Sequence, residues 1–224
     1  MADQRAQPIE KTRAAVLFDG GHARPATRAA LAEFLWGLPW LQIDITDDWD
    51  ALRWRRLAPY DVLITYTGNR NHMCAPEHVA GVQKFVERGG GFVPLHFTTA
   101  DANGEFLALV GARFVKHPPY GPFTVRVADP SHAITQGLAP IEIEDECYQS
   151  EFPDRAALHV LQTSHHEAGI DGEPSSWVRE IGRGRLFYSA LGHDARSFAH
   201  SGLRELLTRG IRWAAGLEPV GSGQ

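Results

Sequence analysis

Three of the eleven histidines in this 224-residue sequence follow segments that are typical of buried strands. They are His22, after a Gly-Gly turn that ends the apolar run 14–18; His96, directly after the run 92–95; and His193, just after the run 185–191. Because ligands bind at the carboxyl ends of the strands in an open parallel sheet, we expect these imidazoles to meet at one edge. Three imidazoles with an open position suit a divalent metal, and zinc in particular.

The metal hypothesis depends on the joint placement of these residues. A single histidine after a strand is more often a capped or solvated residue. The sequence contains neither an HExxH helix motif nor a CxxC pair, so no local motif indicates a metal.

Carboxylates and a further histidine lie near these positions. Apolar and acidic residues alternate over 141–144, and the alternation breaks before Glu146, which could complete a metal shell or act as a general base. Asp19 and Asp194 could each orient an imidazole from behind. For His117, which precedes two prolines, a fourth ligand, a substrate contact and an ordinary loop residue all remain open.

The other histidines are predicted to be ordinary. His132 is expected to fix a turn. The rest are predicted to lie at the surface, with ligand contact as the second option for the adjacent pair 165–166: His72, His78, His159, His165, His166 and His200.

A catalytic nucleophile on this kind of sheet would occupy the sharp turn after residues 92–95. Neither cysteine lies there, since Cys74 precedes a helix and Cys147 follows the acidic segment. A cysteine nucleophile is therefore not expected. Thr98 and Thr99 do follow the turn, and nothing in the sequence marks either hydroxyl as activated.

The elements that must position these residues predict an α/β fold. The first hundred residues show the order β-α-β-β-α-β, with continuous apolar strands and helical patterns over 26–36 and from Pro76. This order predicts a mainly parallel sheet with helices on both faces. The second half predicts short strands, a hairpin around residues 182–184 and a final helix over 198–215.

Length and composition favour a single domain, predicted to span residues 13–217 between flexible tails at 1–12 and 218–224. Apolar residues make up 43% and the net charge is −5, which argues against a disordered chain and against a nucleic-acid partner. No apolar run is long enough to cross a membrane, and the N-terminal segment lacks a secretory signal. With two cysteines, the expected location is the reducing cytoplasm.

Six segments occur in an order that carries a resemblance to a known family: Gly20-Gly21-His22, Leu95-His96, the segment 111–119, the segment 129–135, Asp145-Glu146-Cys147-Tyr148, and Trp177 through Asp194. Over residues 13–217 the chain resembles the ThuA-like family, which is associated with the utilisation of trehalose and related disaccharides. The resemblance implies a flavodoxin-like fold of the class I glutamine amidotransferase type without the catalytic cysteine.

The same resemblance implies a sugar-processing role on 3-keto glycosides with a histidine-bound metal. The matching positions that would carry it are His22, His96, His117, His193 and Glu146. The segment 94–97 reads Pro-Leu-His-Phe where Gly-Leu-His-Ala would be expected, and this difference would alter the turn and narrow the pocket.

The leading hypothesis is a metal-dependent hydrolase or lyase that cleaves or rearranges a 3-keto glycoside. The expected roles are metal binding by His22, His96 and His193, proton transfer by Glu146 or Asp194, and substrate contact by His117, Tyr148, Trp177 or Phe97. Each aromatic residue taken alone is more typical of a core.

Two alternatives remain: a non-catalytic sugar-binding or regulatory domain on an amidotransferase-like scaffold, and a hydrolase with a threonine or serine nucleophile. The expected partner is a small-molecule carbohydrate. A homo-oligomer remains an option.

Overall fold

The first half of the chain alternates strands and helices, as the apolar pattern predicts. The structure, a computed structural model, describes residues 11–20, 24–68, 74–101 and 103–217. The elements of this half are, in chain order, β1 (Thr12–Phe18), α1 (Pro25–Trp36), β2 (Leu41–Thr46), α2 (Trp54–Leu57), β3 (Val62–Tyr66), α3 (Pro76–Glu87), β4 (Gly91–Pro94) and α4 (Gly104–Val110). Most of the two predicted tails lies outside the described residues, and β1 begins at Thr12.

The second half is richer in strands. Its elements are β5 (Arg113–Lys116), β6 (Gly121–Val127), β7 (Ile141–Asp145), β8 (Gln149–Glu151), β9 (His159–His166), β10 (Ile170–Ile181), β11 (Gly184–Ser189), α5 (Ala195–Ala199) and α6 (Ser201–Ala214). Short 3-10 turns cover Trp49–Leu52, His96–Ala100 and Arg155–Ala157. No helix in these described stretches is long and apolar enough to cross a membrane.

One continuous sheet of nine strands runs through both halves, in the order β2-β1-β3-β4-β11-β10-β9-β6-β7. The strands from β2 to β11 are parallel, whereas those from β11 to β7 pair in antiparallel fashion. The expectation of a mainly parallel sheet is therefore corrected to a mixed one. A two-residue turn at Gly182-Arg183 joins β10 to β11, and such a turn connects only antiparallel strands.

Both faces of the parallel half are covered. All five residues of β3 are buried. Because alternate side chains of a strand point to opposite faces, complete burial requires packing on each face of the sheet. The predicted α/β core of the first half is thus present, and the continuous apolar strands account for it.

The antiparallel half bends back toward the parallel half. Three strands lie between β7 and β11, which would place them roughly 19 Å apart in a flat sheet with the usual strand spacing. Instead, the carboxylate of Asp145, the last residue of β7, accepts a hydrogen bond from the backbone N–H of Gly192 at 2.8 Å. The carboxyl ends of β4, β11 and β7 therefore meet at one place.

The predicted final helix is two helices in the structure. The backbone of His200 is extended, with φ −70° and ψ 122°, and it separates α5 from α6. The Nδ1 atom of His200 accepts a hydrogen bond from the N–H of Gly202 at 3.2 Å, so this histidine caps α6. Gly210 lets α6 lie close to the sheet, because a Cβ atom at that position would lie only 2.2 Å from the ring of Phe187.

Candidate functional site

The turn after β4 holds His96 in an unusual backbone conformation. Its φ is 45°, the one positive value at a non-glycine position among the residues that the structure describes. Such a conformation costs about 1–3 kcal/mol and persists only where the surroundings enforce it. Here the hydroxyl of Tyr188 donates to the carbonyl of His96 at 2.8 Å, and His96 itself has no solvent exposure.

The imidazole of His96 has a defined tautomer. Its Nδ1 atom lies 2.7 Å from the carbonyl oxygen of Ala190, and because a carbonyl can only accept, Nδ1 carries the hydrogen. When the ring is neutral, its lone pair is therefore on Nε2. That atom accepts a hydrogen bond from the hydroxyl of Tyr148 at 3.1 Å and lies 3.4 Å from the carboxylate of Glu146.

Glu146 is the centre of the cluster, because three imidazoles surround its carboxylate. Its Oε2 lies 3.1 Å from Nδ1 of His193 and 3.4 Å from Nε2 of His96, and its Oε1 lies 3.3 Å from Nε2 of His117. Burial by itself would raise the pKa of Glu146, but the contacts with His193 and His96 outweigh it and hold this pKa well below its usual range. Glu146 is thus a buried carboxylate that keeps its negative charge.

The pKa of His193 shifts in the opposite direction to that of Glu146. Burial tends to lower its pKa, and the hydrogen bond and charge of Glu146 overcome that effect, so the pKa of His193 is raised. The side chains of His96, Glu146 and His193 place ligand atoms within 4.8 Å of one another, which is close enough to share one metal ion.

A second buried carboxylate fixes the backbone around this cluster. Asp145 is fully buried and accepts hydrogen bonds from the N–H groups of Glu146 at 2.7 Å, Gly192 at 2.8 Å and His193 at 3.3 Å. From the other side, the hydroxyl of Tyr66 donates to the carbonyl oxygens of Gly192 at 2.8 Å and His193 at 3.0 Å. The loop after β11 is therefore held to the end of β7 and to the end of β3 at once.

His117 is the most exposed imidazole of the three. Its side chain is 29% exposed, against 0% for His96 and 12% for His193. The Nδ1 atom donates to the carbonyl of Pro118 at 2.6 Å, which leaves Nε2 directed at Glu146. His117 thus lies between the buried cluster and solvent.

Two of the predicted site residues have structural roles. Asp194 caps α5 through the N–H groups of Arg196 at 2.9 Å and Ser197 at 3.2 Å, and its second oxygen binds the guanidinium of Arg196. Trp177 is fully buried, stacks on Tyr188 at 4.1 Å and donates its indole N–H to a backbone carbonyl. A ring with no exposed face offers no surface to a sugar, so Trp177 is a core residue.

The remaining predictions have mixed outcomes. His22 and His72 lie outside the described residues. Tyr148 is in the site, against His96, whereas Asp19 accepts the indole N–H of Trp49 at 2.7 Å.

Of two histidines predicted to be ordinary, one agrees with its predicted position and the other does not. His132 accepts the N–H of Ile134 at 3.2 Å, in keeping with its predicted turn. His78, predicted at the surface, is buried and accepts the N–H of Ala75 at 3.2 Å at the start of α3.

The structure describes the two cysteines and the two threonines that the sequence analysis considers as nucleophiles. Burial raises the pKa of Cys74 to about 12 and that of Cys147 to about 11, so both are thiols at neutral pH. The hydroxyl of Thr98 donates to backbone carbonyls, and Thr99 contacts the carbonyl of His96 and the hydroxyl of Tyr188. Both threonines are fully buried.

Fold and site together define a mixed α/β protein with a histidine–carboxylate centre at the carboxyl edge of its sheet. The model of the ThuA family, described as trehalose utilisation, matches residues 14–214, and the chain belongs to this family. No curated protein is detectably similar to it.

Solved structures share the fold over nearly the whole chain. A ThuA-like protein from Bacteroides uniformis is 20% identical with a TM-score of 0.78, and covers 98% of this chain and 99% of its own. One from Parabacteroides merdae is 19% identical with a TM-score of 0.78, at 97% and 94% coverage. A β-galactosidase from Bacillus circulans is 16% identical with a TM-score of 0.63, over 94% of this chain but only 32% of its own.

Proposed function

We propose that this protein is a metal-dependent enzyme of disaccharide utilisation that cleaves or rearranges a 3-keto glycoside. The observation that carries the proposal is the convergence of His96, Glu146 and His193 from three separate strand ends on one point. Membership of a trehalose-utilisation family supports the choice of a carbohydrate substrate.

The donor set fits a divalent metal such as zinc. Two imidazole nitrogens and one carboxylate oxygen form a common ligand set with open positions. Nδ1 of His96 is occupied by the Ala190 carbonyl and Nε2 lies 3.4 Å from the Glu146 carboxylate, so Nε2 is the nitrogen that would bind a cation beside Glu146. The carbonyl of Ala190 behind His96 supplies the outer hydrogen bond that metal-binding histidines usually have.

The surrounding residues divide the chemistry among them. When bound, the metal would act as a Lewis acid toward a sugar carbonyl or hydroxyl. Glu146 has one oxygen toward the two ligand histidines and the other toward His117, so it can accept a hydrogen bond from Nε2 of His117 and orient a proton there. His117, which reaches solvent, contacts the substrate and carries that proton onward, and Tyr148 donates a hydrogen bond at Nε2 of His96 until a cation takes its place.

We further propose that the parallel half is the flavodoxin-like core of a class I amidotransferase-type scaffold. The order β2-β1-β3-β4-β11 follows the flavodoxin-like order 2-1-3-4-5. In such a scaffold the turn after β4 would carry the catalytic cysteine, and here that strained position holds His96. Cysteine-dependent glutamine hydrolysis is therefore not part of the proposal.

Elemental analysis and a substrate assay test this function. We expect about one divalent ion per purified chain, lost in His193→Ala and retained in His159→Ala, which changes an exposed histidine outside the cluster. Turnover of 3-keto-trehalose should stop on chelation and return with added metal. Absence of metal uptake would refute the metal centre, while metal and sugar binding without turnover would identify a non-catalytic sugar-binding domain.

A further inference from the structure

A short loop connects β5 to β6 and places a side chain on each flank of the cluster. It is His117-Pro118-Pro119-Tyr120. His117 lies against Glu146 on one side, and the ring of Tyr120 lies 5.4 Å from the ring of His193 on the other. The two prolines restrict the backbone of this loop before any ligand arrives.

Tyr120 is held in place by groups outside the cluster. Its hydroxyl donates to the carbonyl of Glu144 at 2.8 Å. The guanidinium of Arg196 lies over its ring at 4.9 Å, and Arg196 is itself bound by Asp194 at 3.0 Å. The ring is inclined by 57° to the imidazole of His193 and remains partly exposed. A fixed, partly exposed aromatic ring beside a polar centre is a feature of small-molecule sites.

We infer that Tyr120 contacts the substrate and receives the apolar face of a pyranose ring. This inference rests on the proposed function and narrows its substrate class to glycosides with a ring face of axial C–H bonds, as in glucose-configured sugars. Arg196 covers one face of the tyrosine, so a sugar ring would contact the other face. Tyr120 thus takes the role that the sequence suggested for the buried Trp177.

The test measures trehalose binding to the whole protein, with and without a chelator, by ligand-observed NMR titration. Tyr120→Ala should raise the Kd for trehalose roughly 10-fold, and Tyr120→Phe should leave the Kd near the wild-type value. Tyr60→Ala is the matched control, since Tyr60 also donates its hydroxyl to an acceptor and lies under an arginine, Arg13, but far from the cluster. It should bind trehalose as the wild type does.

Metal content separates substrate contact from a merely structural role. If Tyr120 contacts the sugar, Tyr120→Ala keeps its full metal content; loss of metal would mean that the ring only positions His193, and would overturn the inference. An unchanged Kd, or a wild type that binds none of trehalose, maltose and cellobiose, would also overturn it. Sugar binding that depends on Tyr120 in a protein without turnover would refute the proposed enzymatic function and leave this inference standing.

Discussion

Asp145 accepts a hydrogen bond from the backbone N–H of Gly192 at 2.8 Å. Asp145 ends β7 and Gly192 follows β11, and three strands lie between β7 and β11 in the sheet. This bond closes the curled antiparallel half onto the parallel half. Asp145 also receives the N–H groups of Glu146 and His193, so the same carboxylate sets the distance between two residues of the candidate centre. The curvature of the sheet is therefore what assembles the site.

Asp145→Asn should weaken this connection. The amide retains one acceptor but turns an NH2 group toward backbone N–H donors, which leaves buried groups unsatisfied at a cost of about 1–3 kcal/mol. We expect urea unfolding to show a loss of that size, together with a reduced metal content. Asp44→Asn, at an exposed carboxylate of the edge strand β2, should change neither quantity. Wild-type stability in Asp145→Asn would contradict the proposed connection.

The sequence was informative where the chemistry depends on strand ends. His96 and His193 meet because parallel strands end at the same edge, a rule that needs only the strand assignments. The signal for Glu146 is the break in alternation after Glu144. Its partner Asp145 could have been suspected from the same break, since the burial pattern of β7 continues through it.

Other features depend on curvature that local patterns do not encode. Nothing in the segments 117–120 and 141–145 indicates that β7 bends back over β11, so Tyr120 could not be placed beside His193. The capping role of Asp194 has a local signature. An aspartate before Arg196 and Ser197 at a helix start is a typical N-cap, so the sequence alone predicts this role.

The packing of α6 on the sheet predicts a large effect of Gly210→Ala. The added methyl would meet the Phe187 ring at 2.2 Å, and neither the helix nor the buried ring can move freely. We expect a loss of about 1–3 kcal/mol in the free energy of unfolding. Gly104→Ala is the matched change, since a Cβ atom there meets nothing within 4 Å, and it should be neutral or slightly stabilising. Equal stabilities for the two variants would contradict this packing.

The lowered pKa of Asp129 predicts that stability depends on pH. Asp129 follows β6, at the opposite end of the strands from the site. Hydrogen bonds from the Ser131 hydroxyl and N–H, and then from His159, lower the pKa of Asp129 to about 2 from a usual 3.8. A carboxylate with a depressed folded-state pKa stabilises the fold above its unfolded pKa, so this contribution is lost as the pH falls from 3.8 toward 2. NMR titration should show the pKa of Asp129 rising in Ser131→Ala. An unchanged value would exclude Ser131 as the main cause.

Tyr148→Phe tests whether the Nε2 atom of His96 is a metal ligand. The phenol donates to this nitrogen at 3.1 Å and so competes for the lone pair that a cation would use. Removing a competing hydrogen bond worth about 0.5–1.5 kcal/mol should raise metal affinity roughly 2- to 10-fold, measured by competition with a chelating dye. Tyr60→Phe is the control, because that phenol donates to Asp44 away from the cluster, so its removal frees no ligand atom. A weaker affinity in Tyr148→Phe would mean that the phenol orients His96 for the metal, and an unchanged one would mean that Nε2 does not bind it.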